Sequence, residues 1–143
     1  MSTPSAVVFC HNDLQVGNIL RTADLMLIDY EFAGYTNRGF DIGNHFIERM
    51  FNNHCDVYPY FSYTFGRYPT RDEQVDFVSA YIARFESNLE ETKLKTHTGM
   101  ANLSVEAIVE EANVFALIAL HCAAVWSLIQ AAESSHEFGW LVI

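Results

Sequence analysis

Short apolar runs separated by polar breaks organise the first third of the chain. Ala6 to Cys10 is apolar and bounded by polar residues, which predicts a short buried strand. Ile19-Leu20 opens a second strand, Arg21 to Asp24 supply a tight turn, and Leu25 to Ile28 form a third. The expected product is a small β-hairpin near the N-terminus with polar residues at its open end. Gly34, Asn37 and Gly39 are breakers, so 34 to 39 reads as a loop. A helix is then expected from near Asp41 to about Phe51. Asp41 can accept backbone N–H bonds at its start.

The remaining two thirds read as helical. Asn52 to Pro69 is rich in Tyr and Phe and holds Pro59 and Pro69, so it is expected to be irregular with aromatic anchors. Thr70-Arg71-Asp72-Glu73 matches a capping box, in which hydroxyl and carboxylate each satisfy a free backbone donor. Val75, Val78, Ile82, Phe85 and Leu89 follow at alternating three- and four-residue steps, a stripe that faces a core. Glu86 to Gly99 is polar, carries Lys93 and Lys95, and reads as a solvated connection. Ser104 opens a last long helix with Glu106, Glu110 and Glu111 near its start, where the helix dipole favours acids. Val114 to Ile129 is nearly all apolar. It falls short of the roughly 20 residues a bilayer needs, so a central buried helix is expected and no membrane span. The fold class is α+β, mainly helical, as one domain over residues 1–143.

Composition narrows the partners. At 143 residues and 50% hydrophobic, the chain has the length and apolar content for one core. A net charge of −10 disfavours nucleic acid and anionic lipid and favours a cationic small molecule. Cys10, Cys55 and Cys122 are scattered and odd in number. A disulfide framework or a zinc site is therefore not expected, and a reducing, cytoplasmic setting fits. Met1 to Ser5 lacks the basic and apolar segments of a signal peptide.

Chemistry concentrates near the start. His11-Asn12-Asp13 is followed five residues after the Asp by Asn18, and the run Leu25 to Ile28 ends in Asp29. Two acids and an amide at the ends of short strands are the groups phosphoryl transfer uses. One carboxylate takes the proton of the attacking hydroxyl. The amide oxygen and the second carboxylate hold Mg²⁺, a hard ion that prefers oxygen. The competing reading makes Asp13 and Asn18 loop residues that satisfy nearby backbone groups.

The run from Phe9 to Leu20, FCHNDLQVGNIL, resembles the catalytic loop of choline/ethanolamine kinases. The run from Ile28 to Glu48, IDYEFAGYTNRGFDIGNHFIE, resembles the signature that follows it in that family. Weaker similarity continues through Trp126 to Gln130 and Glu137 to Gly139. The resemblance implies the C-terminal lobe of a protein-kinase-like fold. It also implies ATP-dependent phosphorylation of the hydroxyl of choline or ethanolamine, the first step of phosphatidylcholine or phosphatidylethanolamine synthesis. Asp13 is then the base, Asn18 and Asp29 the Mg²⁺ ligands, and Glu48, Trp126 and Phe32 the amine site. His11, Gln15, Arg38 and Asp41 support the loop.

This sequence departs from the family pattern in three places. First, the leading position of a Trp pair is Ala123; second, pocket aromatic positions read here as Phe32 and Asn53, and the chain stops at Ile143 near where another is expected, which puts choline in doubt and leaves ethanolamine or loss of activity open; the third is the nucleotide lobe. No Gly-rich phosphate loop, Lys–Glu pair or Walker run is present, so the nucleotide-binding N-terminal lobe is expected to be absent from 1–143. The alternative to catalysis is an inactive kinase-like module that binds a partner. A homodimer, or a heterodimer with a longer kinase chain, is the assembly considered.

Overall fold

The computed structural model describes residues 5–92, 104–136 and 138–141. The polar segment expected to reach Gly99, and Glu137, fall largely outside those residues. Helices dominate, with small two-stranded antiparallel sheets beside them. The order is β1 (Val7–Cys10), β2 (Ile19–Arg21), β3 (Leu25–Leu27), β4 (Gly34–Asn37), α1 (Arg38–Glu48), β5 (Phe51–Asn52), β6 (Ser62–Tyr63), α2 (Arg71–Thr92) and α3 (Val105–Glu133).

The expected hairpin is present, with Ile19 opposite Leu27 and Arg21 opposite Leu25. β1 differs from expectation. It pairs with β4, Val7 opposite Asn37 and Cys10 opposite Gly34. The segment read as a loop is therefore mostly strand. Its breakers misled because pairing across the sheet, not local propensity, extends it. Nor is β1 buried as a whole: Cys10 is, while Val7 (65% exposed) and Phe9 (61%) point outward, as the two-residue period of a strand requires. Phe9 meets Tyr35 of β4 edge-on at 5.7 Å on that outer face.

α1 begins at Arg38, earlier than expected, and ends before Phe51. Asp41 thus lies inside the first turn and is free to bond elsewhere. α1 packs against α3 through glycines. A Cβ on Gly43 would lie 2.6 Å from the Ala112 carbonyl oxygen, and one on Gly39 2.6 Å from the Phe115 ring. Only a bare α-carbon allows this approach. Around the contact sit two buried groups, one of Ile42, Phe46, Val78, Ile82, Ile108, Val109 and Ala112, the other of Ile47, Met50, Ala116 and Ala119. The capping box forms as read: the Thr70 N–H donates to Glu73 Oε2 at 2.8 Å, and the Glu73 N–H to Thr70 Oγ1 at 3.4 Å. α2 continues through the start of the expected polar connection to Thr92. Ser104 caps α3 by accepting the Ala107 N–H.

α3 corrects a second expectation. Its first half is core, but Leu117 (69% exposed), Ile118, Val125 and Leu128 are not covered. An apolar run shows that a face seeks a neighbour, not that one is there. At 29 residues, with an 18-residue stretch of mean hydropathy 1.9, α3 is long and apolar enough to cross a membrane by length and composition. Its first half carries a buried ion pair and the glycine contact, the marks of a core helix. In that pair, Arg38 Nη2 donates to Glu111 Oε2 at 2.6 Å, and Ser5 Oγ donates to Glu111 Oε1 at 2.5 Å.

Candidate active site

The loop after β1 turns back sharply at Asn12, whose φ of 66° lies in the left-handed region that Asn tolerates better than most residues. Every polar group of that side chain is used. Its Nδ2 donates to the Phe32 carbonyl at 2.8 Å, and its Oδ1 accepts from Thr36 Oγ1 at 2.7 Å. Asp41 of α1 receives the loop backbone. The His11 N–H donates to Oδ2 at 3.1 Å and the Asn12 N–H to Oδ1 at 2.8 Å. A helix-borne carboxylate thus caps a loop that has no regular ladder of its own.

His11 is buried and fastens the loop to the hairpin. Its Nδ1 accepts the Asp13 N–H at 3.3 Å, which places the ring proton on Nε2, and Nε2 donates to the Ile28 carbonyl at 2.9 Å. The Ile28 N–H donates in turn to the Asn18 carbonyl at 3.0 Å. Ile28 is therefore held from both sides, and Asp29 is the next residue, with a left-handed φ of 63°.

Asp13 and Asn18 touch. Asn18 Nδ2 donates to Asp13 Oδ2 at 2.8 Å and to the Asp13 carbonyl at 3.0 Å, and Gln15 Nε2 adds a bond to Oδ2 at 3.2 Å. Asp13 Oδ1, Asn18 Oδ1 and the exposed Asp29 carboxylate have no hydrogen-bond partner among the described residues. No cluster of three His, Cys, Asp or Glu side chains is present among those residues either. The contact brings together one carboxylate and one amide, both oxygen donors, which suit a hard ion such as Mg²⁺ better than a soft metal.

Glu48 lies at the end of α1, close enough to Asp13 for their charges to interact. Burial pushes its carboxyl up to about 7, and the Asp13 charge adds to the push. It borders a cavity of about 120 Å³ lined also by Gln15, Val16, Phe51, Asn53 and His54. Neither Phe32 nor Trp126 lines that cavity. The Phe32 side chain is exposed at 53%. Trp126 meets Trp140 edge-on at 5.2 Å, and Trp140 lies 4.4 Å from Phe138, which stacks on Phe61. Arg38 bonds not to the loop but to Glu111 of α3. His45, which no motif singled out, donates from Nδ1 to the Leu14 carbonyl at 2.9 Å. Asn12 and His45 went unread because an Asn beside a motif and one His in an apolar helix carry no pattern; only the positive φ was open to inference.

The architecture matches a part of a kinase-like fold. A choline kinase structure from Cryptosporidium parvum superposes with a TM-score of 0.74 at 27% identity, covering 94% of this chain and 34% of that one. Among curated relatives, choline kinase alpha of Mus musculus is 42% identical over 147 residues, covering 97% of this chain and 32% of that protein. Choline/ethanolamine kinase of Homo sapiens is 38% identical over 151 residues, covering 98% and 36%. The choline/ethanolamine kinase family model matches residues 1–143. The chain belongs to the choline/ethanolamine kinase family. It spans about a third of the length of these relatives.

Proposed function

We propose that this chain carries the catalytic loop of an ATP-dependent kinase acting on the hydroxyl of choline or ethanolamine, in the setting of a kinase C-terminal lobe in the cytoplasm. The observation that carries the reading is the Asp13–Asn18 contact; Asp29 follows Ile28, whose N–H donates to the Asn18 carbonyl. Asp13 Oδ2 is held by two amide donors, which leaves Oδ1 to meet a substrate hydroxyl. As the hydroxyl oxygen bonds to the γ-phosphorus, its proton passes to Asp13, the bond to the β-phosphate oxygen breaks, and ADP leaves. Asn18 Oδ1 and Asp29 would hold Mg²⁺, which when bound neutralises charge on the phosphate oxygens. The protein's share is position and electrostatics.

Glu48 is the proposed partner of the substrate ammonium. A cation in its cavity offsets both the burial and the Asp13 charge that disfavour its ionised form. Trp126, with Trp140 and Phe138, offers aromatic faces of the kind that attract a quaternary ammonium, and Phe32 offers another, though none of the four lines the Glu48 cavity. The uncovered faces of α3 and β1 favour a second reading, a module that docks on a longer kinase chain or on a second copy. Phosphorylation of choline and ethanolamine with Mg²⁺-ATP decides between them. Turnover lost in Asp13→Asn supports catalysis. No turnover and no nucleotide binding, together with stable association with a longer kinase, supports the module.

A further inference from the structure

α1 presents Asp41, His45 and Glu48 at steps of four and three, which brings all three to one face of the helix. Asp41 holds the loop before Asp13, and Glu48 borders the cavity beyond it. His45 lies between them. Its Nδ1 is 2.9 Å from the Leu14 carbonyl oxygen, so Nδ1 carries the proton whatever the state of Nε2. Its ring stacks on Phe77 of α2 at 5.2 Å and 27°, and Phe77 meets Phe46 edge-on at 5.6 Å. The imidazole is thereby clamped between a core helix and one loop peptide.

We propose that His45 is a positioning residue: by holding the Leu14 carbonyl it fixes the Leu14–Gln15 peptide, one residue beyond Asp13, and so helps aim the Asp13 carboxylate. The importance of that aim rests on the phosphotransfer reading; the clamp does not. Asp13 is bonded on its N-terminal side through His11 and Asp41 and across the loop through Asn18. His45 supplies the α1 anchor on its C-terminal side, at the one carbonyl between those of Asp13 and Gln15, which Asn18 holds.

Three variants separate positioning from packing. His45→Asn keeps a donor at the place of Nδ1, His45→Gln moves it out to the place of Nε2, and His45→Leu removes it. All three lose the stack on Phe77, so packing loss is common to them. Amide hydrogen exchange is read across residues 11–18 and, as control, across the buried half of α3. In Leu and Gln the loop amides exchange about tenfold faster, the factor expected for one lost hydrogen bond, while Asn stays near the parent and α3 is unchanged. With an active enzyme, kcat falls by a similar factor in Leu and Gln at unchanged KM for the amine, and Asn rescues it. Should Leu fail to fold, the Asn–Gln contrast carries the test. Equal loop exchange in all variants and parent, or loosening of loop and α3 together without rescue by Asn, overturns the proposal. A parent chain with no turnover counts against phosphotransfer, and the exchange pattern still decides the clamp.

Discussion

Replacing Glu48 by Gln should stabilise the chain, and only at high pH. In the folded chain burial and the Asp13 charge raise the carboxyl from its ordinary 4.5 to about 7. Between those values the folded chain keeps a proton that the unfolded chain has released. The contribution of Glu48 to stability is therefore full below about 4.5 and is lost as pH rises to about 7. At about 1.4 kcal/mol per pH unit the loss is about 3 kcal/mol. Gln is nearly isosteric and never ionises. In urea unfolding followed by circular dichroism, parent and variant should coincide at pH 4. At pH 8 the variant should unfold later by about 1–2 M urea, given the usual steepness for small proteins. Equal midpoints at both pH values, or a variant weaker at pH 8, would show that the surroundings of Glu48 do not hold its proton.

Other outcomes follow from the α1–α3 contact. Gly43→Ala places a methyl 2.6 Å from the backbone of Ala112 and Ala116, and should cost about 1–3 kcal/mol in thermal unfolding. Glu111→Leu strands the Arg38 guanidinium, whose Nη1 already lacks a partner among the described residues, and should cost about 3–5 kcal/mol. The double change Arg38→Met with Glu111→Leu should recover most of that loss.

Elements written in local chemistry were legible in the sequence. The hairpin shows as two apolar runs around a polar turn, and the α2 start as Thr70 and Glu73. β4 was hidden because its strand character comes from β1, distant in sequence, while Gly34 and Asn37 argue locally for a break. The burial of α3 was misjudged because its apolar residues surround the helix. Only the face with Ala112, Ala116 and Ala119 meets the glycines of α1. At the candidate site the motif gives the proposed reactive groups, Asp13, Asn18 and Asp29. The groups that hold them come from elsewhere in the chain. Asp41 was half legible as an acid at a helix start. His45 was not legible, since its partner is a carbonyl that no residue type reveals. That no residue of the aromatic group around Trp126 lines the Glu48 cavity is likewise a matter of packing.

The central claim is that Asp13, Asn18 and Asp29 form one site for a divalent cation and nucleotide. Mn²⁺, a paramagnetic stand-in for Mg²⁺, tests it in the presence of ATP through amide signals of the isotope-labelled chain. The account predicts broadening confined to residues near Asp13, Asn18 and Asp29, and its loss in Asp29→Ala and Asn18→Ala. Broadening centred elsewhere, such as on the acidic start of α3, or broadening that survives both substitutions, would contradict it.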